Sequence, residues 1–245
     1  MNHSPFSQTW RWSGAMAAHT RLTFPGLESL ETNHSQAWQD LFILMMLAGK
    51  RDGRYLEVGG HVPIDNNNTC LLHREFGWQG VTLELDPSHF PLWRDQRPDS
   101  TFLIADALAV DYAKALPMYF GEPGGRIDYL QLDIDPSINT LAVLKRLPLD
   151  TWRFSVITFE TDAYTNDMRA RDESRAILSA HGYMLVAKDV CVLFPPVSPQ
   201  PIPFEDWWVD PAVVGSEAIE TLQRASATTG LPQDLLFTNY ADTVR

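Results

Sequence analysis

Four acidic residues follow short apolar segments of this chain, at spacings that would bring their carboxylates to one place. Glu57 precedes the pair Gly59-Gly60, and Glu84, Asp106 and Asp133 each end a later apolar segment. If these segments are parallel strands of one sheet, the acids lie at its carboxyl edge, where such sheets bind ligands. Carboxylates accept hydrogen bonds from hydroxyl and amino groups, and glycine lets backbone approach a ligand closely. The spacing therefore predicts a ligand site.

Two of these acids suggest specific contacts with a nucleoside. Glu84 is placed to accept both ribose hydroxyls of an adenosyl group, and Asp106 to receive an adenine amino group. The Gly59-Gly60 turn alone is equally consistent with a simple chain reversal, so its interpretation depends on these partners. The turn lacks the third glycine of G-x-G-x-x-G, which disfavours a dinucleotide and, with it, a nucleotide-sugar oxidoreductase.

A second group of acids lies further along the chain. Asp133 is the strongest catalytic candidate, and Glu160 and Asp162 follow the next apolar segment. Converging carboxylates suit a hard divalent ion such as Mg²⁺, which would lower the pKa of an acceptor hydroxyl. The alternative is that these acids are helix N-caps and cofactor contacts. Without a metal a general base is needed, and His61 could serve, because imidazole titrates near neutral pH.

The elements that would carry these residues alternate between strand and helix signals. Apolar strands are expected at residues 55–59, 81–85, 101–105, 127–133 and 154–160. The segments between them are long enough for helices, which predicts right-handed βαβ units and a parallel sheet covered on both faces. Residues 183–187 and 190–194 are joined only by Lys188-Asp189, and so short a connection permits only an antiparallel hairpin. The predicted fold is α/β, a Rossmann-like seven-stranded sheet of five parallel strands and one antiparallel hairpin.

Three regions are expected along the chain. Residues 1–34 show no sustained period and are interpreted as an extended N-terminal arm. Residues 35–210 would form the main domain, in which the prolines of 195–203 disfavour helix and inner strand. The aromatic segment 204–210 could stack on a sugar or pack on the core. Residues 211–245 would add a C-terminal helix and a tail.

Composition limits the function classes. The chain has 245 residues, 44% of them hydrophobic and 20% charged, and a formal charge of −12. This composition supports one sizeable core, and the negative charge disfavours duplex nucleic acid and anionic membranes as partners. Cys70 and Cys191 have no metal or disulfide spacing, and the longest apolar stretch, residues 41–48, is too short to span a bilayer. We expect a cytoplasmic protein whose partner is a small molecule. The sequence leaves open whether the chain forms a homo-oligomer.

Several short motifs also occur in a recognisable order. They are Ser35-Gln36-x-x-Gln39-Asp40, Glu57-x-Gly59, Asn68-Thr69, Gly77-Trp78-x-Gly80-Val81 and Glu84. In order and spacing this set resembles the FkbM-like branch of class I S-adenosylmethionine-dependent methyltransferases. The resemblance covers roughly residues 35–210. It fails at Gly60-His61-Val62-Pro63, where that branch more often has a small residue and then an acid with glycine.

The resemblance implies an S-adenosylmethionine site with assigned contacts. Gln36 and Asp40 would cover the cofactor, Glu57, Gly59 and Gly60 would border its methionine part, and Asn68 and Thr69 would line the first helix. Glu84 and Leu85 would hold the ribose, and Asp106 and Ala107 would hold the adenine. Asp133 would face the transferred methyl group. The acids at the fourth and fifth strand ends also look like those of metal-dependent natural-product O-methyltransferases.

The implied reaction is O-methylation of a hydroxyl on a sugar or secondary metabolite. Two alternatives stay open. One is methyl transfer to nitrogen or to a carboxylate without a metal, and the other is a non-catalytic domain that binds an adenosyl group or a partner.

Overall fold

The computed structural model describes residues 11–194 and 197–240, which form a single seven-stranded sheet with helices on both faces. The strands are β1 (Arg54–Val58), β2 (Gln79–Glu84), β3 (Thr101–Ile104), β4 (Arg126–Leu132), β5 (Arg153–Glu160), β6 (Met184–Val192) and β7 (Ile202–Val209). The helices are α1 (Gln39–Met46), α2 (Cys70–Phe76), α3 (Phe90–Gln96), α4 (Tyr112–Phe120), α5 (Ser137–Leu144), α6 (Arg169–Ala180), α7 (Ser216–Ser226) and α8 (Pro232–Leu236).

The sheet has the order β3-β2-β1-β4-β5-β7-β6. Strands β1 to β5 pair in parallel, and β7 is antiparallel to both of its neighbours. The order reverses between β1 and β4, and the carboxyl ends of the parallel strands open a crevice there. This arrangement confirms the predicted Rossmann-like class I methyltransferase fold. Among the described residues, no helix has the length and apolar character that a membrane span requires.

The prediction of a hairpin at residues 183–194 is wrong. Most of them, Met184–Val192, form the single strand β6, because Lys188-Asp189 is accommodated as a bulge in which Asp189 has a φ of 51°. The second antiparallel strand is β7, which includes the end of the proline segment and the aromatic segment. Pro203 is tolerated because it lies near the start of β7, beyond the residues that pair with β5.

The sheet is covered by two separate apolar layers. One layer contains α1, α7 and α8, and the other contains α4, α5 and α6. The described part of the N-terminal arm is packed on the first layer rather than extended: Trp12 is buried, and Thr20 pairs with Phe237 near the C-terminus. Residues 1–10 of the arm and residues 241–245 of the tail lie outside the described residues.

The bulge in β6 is held by an ion pair in which the carboxylate is buried and the guanidinium is partly exposed. The carboxylate of Asp206, on β7, is fully buried and accepts hydrogen bonds from Arg175 Nε (2.7 Å) and Nη2 (2.8 Å). It also accepts a hydrogen bond from the backbone N–H of Asp189 at 2.8 Å. This one carboxylate therefore joins α6, β6 and β7.

We expect the substitution Asp206→Ala to lower the free energy of unfolding by about 3 kcal/mol, because it removes the acceptor of the Asp189 N–H and the buried one of the two carboxylates that pair with Arg175. Urea unfolding followed by circular dichroism measures this loss. The control is Glu173→Gln, which breaks the Lys145–Glu173 pair, half exposed on both sides, and should cost no more than about 1 kcal/mol. Equal losses in the two variants would contradict a special role for Asp206.

Candidate active site

A cavity of about 580 Å³ lies at the carboxyl edge of the parallel strands. This volume is in the range of small-molecule and cofactor sites. The predicted site residues that line it are Gln36, Gly59, His61, Glu84, Leu85, Asp106, Ala107, Asp133, Glu160 and Asp162. The sheet thus brings together the ends of β1 to β5, as the acid spacing indicated.

The other predicted cofactor residues are Asp40, Glu57, Gly60, Asn68 and Thr69, and they do not line the cavity. The side chains of all of them except Gly60 are hydrogen bonded to other groups of the protein. Glu57 is fully buried and accepts hydrogen bonds from Thr82 Oγ1 (2.7 Å) and Thr69 Oγ1 (3.1 Å). Burial raises the pKa of Glu57, and nearby Arg97 opposes that rise.

Asp40 and Asn68 have similar internal roles. The carboxylate of Asp40 accepts hydrogen bonds from the backbone N–H groups of His34 (2.7 Å) and Ser35 (3.0 Å). It therefore fixes the segment before α1, from which Gln36 reaches the cavity. Asn68 donates to the hydroxyl of Tyr129 at 3.2 Å. These residues do not line the cavity themselves but hold in place the segments that form its walls.

The glycine turn after β1 fits tightly between two strands. Gly59 has a φ of 87°, and a Cβ atom there would lie 1.7 Å from the carbonyl oxygen of Asp133. A Cβ atom on Gly60 would lie 2.1 Å from Cγ2 of Thr82. The N–H groups of both glycines donate to the carbonyl oxygen of Leu83. The turn therefore requires glycine both for its backbone conformation and for packing.

Glu84 presents an oriented carboxylate at the end of β2. Its oxygens accept hydrogen bonds from the backbone N–H groups of His61 (2.8 Å) and Asp86 (2.9 Å). The rings of His61 and His89 lie 4.6 Å apart, and burial together with His89 lowers the pKa of His61. His61 therefore lies beside Glu84, at the predicted ribose end of the cavity, whereas Asp133 lies beside Glu160 at the other end.

The acids at the ends of β4 and β5 form a cluster. Asp133 and Glu160 are hydrogen bonded to each other, and burial raises the pKa of Asp133 to about 6. The pKa of Glu160 is well above its ordinary value because of burial and the charge of Asp133, and the pKa of Asp162 is raised by burial and by Asp135. Such shifts are typical of functional carboxylates.

The cluster differs in one member from the predicted metal ligands. Carboxylate oxygens of Asp135, Glu160 and Asp162 lie within 4.8 Å of one another, so Asp135 takes the place predicted for Asp133. Asp133 is hydrogen bonded to Glu160 instead. Asp135 stands two residues after Asp133, and this i, i+2 spacing was a signal that could have identified it.

Several cavity residues were not predicted from the sequence. Gln131 lines the cavity from β4, and Tyr164 hydrogen bonds to Asp162. An apolar wall is formed by Val192, Phe194, Ile202 and Phe204, at the ends of β6 and β7. Of the aromatic segment, only Phe204 reaches the cavity, while Trp207 and Trp208 pack in the two core layers.

No protein-family model matches this chain, and no curated protein sequence does either. Solved structures resemble it at low identity. An O-methyltransferase from Bacillus cereus in complex with SAH has a TM-score of 0.49 and 18% identity, over 72% of this chain and 82% of that one. Cofactor-bound Rv0187 from MTB has a TM-score of 0.49 and 17% identity, over 73% and 81%. Aeropyrum pernix fibrillarin with natively bound S-adenosyl-L-methionine has a TM-score of 0.44 and 15% identity, over 71% and 74%.

We expect Gly59→Ala to lose at least about 2 kcal/mol more stability than Gly121→Ala, because its methyl group must displace the Asp133 carbonyl. Gly121 is a matched control: its φ of 88° is almost the same, but a Cβ atom there meets nothing within 4 Å. Urea unfolding of the two variants separates the steric contact from the cost of the left-handed conformation. Equal destabilisation would show that the contact with β4 is not what requires glycine.

Proposed function

We propose that this chain is an S-adenosylmethionine-dependent methyltransferase that transfers a methyl group to a hydroxyl of a small molecule. The observation that carries the proposal is the oriented carboxylate of Glu84 in a cavity that also contains the strand-end acids Asp106 and Asp133. The ordered motifs that resemble the FkbM-like branch support the same assignment. The acceptor class, a sugar or secondary metabolite, follows from that resemblance.

The residues present fit the cofactor. Glu84 would accept the ribose hydroxyls, and the exposed side chain of Leu85 offers apolar surface beside them. The segment at Asp106 and Ala107 would receive the adenine, with Asp106 already fixed by the N–H of Leu108 at 2.8 Å. Gly59 would allow close approach of the methionine part. When bound, the cofactor supplies an electrophilic methyl group on a positively charged sulfonium.

The chain's own contribution is to position the acceptor and remove its proton. Methyl transfer to oxygen needs the acceptor hydroxyl aligned and deprotonated, and proximity supplies much of the rate enhancement. Asp133 shares a hydrogen bond with Glu160 and has a pKa raised to about 6, which suits a proton acceptor near neutral pH. His61 lies with Glu84 at the opposite end, so we assign the base to Asp133.

A divalent ion such as Mg²⁺ fits the triad of Asp135, Glu160 and Asp162. The donors are all hard oxygen atoms within 4.8 Å of one another. Apart from the neighbouring carboxyl groups, no described residue offers a hydrogen bond to the buried Oε2 of Glu160, so this atom has an acceptor position for an ion. An ion held there would lower the pKa of a nearby acceptor hydroxyl.

We expect isothermal titration calorimetry to show binding of S-adenosylmethionine and S-adenosylhomocysteine. Glu84→Gln should weaken binding of both about tenfold or more, because the amide replaces one charged acceptor by a donor. The control Glu122→Gln removes an exposed acid outside the cavity and should change neither affinity. If neither compound binds the unmodified chain, the methyltransferase proposal fails. A chain that binds both but transfers no methyl group would instead be a non-catalytic adenosyl-binding domain.

The metal prediction is tested with Mn²⁺ as a paramagnetic probe for the Mg²⁺ site. We expect Asp135→Asn to weaken Mn²⁺ binding, measured by electron paramagnetic resonance, about tenfold or more, because a ligand charge is lost. The control Asp106→Asn removes an acid from the other end of the same cavity and should leave the affinity unchanged. Equal effects would show diffuse attraction rather than a defined site. Activity that persists with a chelator would favour methyl transfer to nitrogen or carboxylate without a metal.

A further inference from the structure

We propose that the acceptor end of the cavity selects substrates by charge: it takes a neutral or cationic compound with an apolar body and excludes one that carries a carboxylate or phosphate. This inference rests on the proposed methyltransferase function. It concerns which molecules receive the methyl group, and three independent features of the cavity carry it.

The first feature is the charge of the cavity wall. Glu84, Asp86 and Asp106 line the end beside β2 and β3, and Asp133, Asp135, Glu160 and Asp162 line the end beside β4 and β5. Among the described residues that line the cavity there is no lysine or arginine. His61 is the only side chain in that lining that could carry a positive charge, and its pKa is lowered by burial and by His89. A divalent ion held by Asp135, Glu160 and Asp162 would offset two negative charges, and Glu84, Asp86 and Asp106 would still line the other end of the cavity.

The second feature is the kind of hydrogen bond that the wall offers. Gln131 is 5% exposed and lines the cavity, and its amide nitrogen donates to the carbonyl oxygen of Gly59. Its Oε1 atom is buried without a hydrogen-bond partner among the described residues. An amide oxygen can only accept hydrogen bonds. A hydroxyl or ammonium group can satisfy this atom, whereas a carboxylate or a fully deprotonated phosphate cannot.

The third feature is the apolar part of the cavity wall, at the ends of β6 and β7. Val192, Ile202 and Phe204 are 5–7% exposed, and what they expose lines the same cavity. Apolar walls with a few placed polar groups are the usual composition of small-molecule sites. A substrate therefore finds apolar contact for its body, and its polar groups face the acids of the cavity wall and the Oε1 atom of Gln131.

The test uses three phenols whose para substituents are similar in size but differ in charge: tyramine (cationic), 4-ethylphenol (neutral) and 4-hydroxyphenylacetate (anionic). Their affinities for the full chain are measured by ligand-detected NMR titration, with and without S-adenosylhomocysteine and Mg²⁺. We expect the anion to bind at least about tenfold more weakly than 4-ethylphenol, because like charges in a partly desolvated cavity repel.

An anion that binds as tightly as 4-ethylphenol, or more tightly, overturns the inference. Failure of all three probes to bind at millimolar concentration also overturns it, since the apolar wall would then not be an acceptor surface. Both results are distinct from failure of the proposed function, which is absence of S-adenosylhomocysteine binding. The probes are titrated in either case.

A variant that adds a positive charge provides a second readout. Asn139, on α5, is half-buried, lines the cavity and donates to the carbonyl oxygen of Asp135 at 3.2 Å. We expect Asn139→Lys to reduce the affinity gap between 4-ethylphenol and 4-hydroxyphenylacetate about tenfold, while the uncharged control Asn139→Gln leaves it unchanged. A gap that is the same in both variants, with unchanged circular dichroism, would show that charge does not set the selection.

Discussion

The close contact between the turn after β1 and the end of β4 is the constraint on which the rest of the site depends. Gly59 approaches the Asp133 carbonyl so closely that only a residue without a side chain fits. The same turn is bonded through Gly59 N and Gly60 N to the carbonyl oxygen of Leu83 on β2. One turn therefore sets the separation between the carboxylate at the end of β2 and the acids at the end of β4. The position of this turn therefore also sets the space available in the cavity.

A buried polar network behind the turn keeps it in place. Arg97 is 2% exposed, and its guanidinium donates to the Pro63 carbonyl (3.3 Å) and to Asn67 Oδ1 (2.9 Å). Asn67 in turn donates to Glu57 Oε1 and to the carbonyl oxygen of Gly60. The buried guanidinium and the buried Glu57 carboxyl group are thus joined through an amide, and buried polar groups of this kind are stabilised by such hydrogen bonds. The network also holds the His61-Val62-Pro63 segment in place, through the hydrogen bond from Arg97 to the Pro63 carbonyl.

The sequence predicted those parts of the fold that depend on local periodicity. The five parallel strands and their terminal acids follow from apolar segments and from the geometry of parallel sheets, and both are present. The antiparallel pair could not be predicted in the same way, because the bulge at Asp189 is stabilised by Arg175 and Asp206, which are distant in sequence. The role of Glu57 could not be predicted either, because an acid at a strand end can face a ligand or the core. Glu57 faces the core because Thr69 and Thr82 donate hydrogen bonds to it there.

The acidic character of the cavity has a cost for folding that a ligand can offset. The pKa values of Asp133 and Glu160 are raised, so the folded cluster still holds protons at pH values where the unfolded chain has already released them. As the pH rises through those values, ionisation of the cluster destabilises the folded state, because the unfolded carboxyls ionise at lower pH. A bound cation removes this penalty by pairing with the ionised carboxylates. Clustered acids of this kind destabilise the folded state when no cation is bound. On the proposed function they stabilise positive charge, either that of the cofactor's sulfonium or that of a metal ion. On the proposed function, cation binding and proton release at this site are therefore linked equilibria.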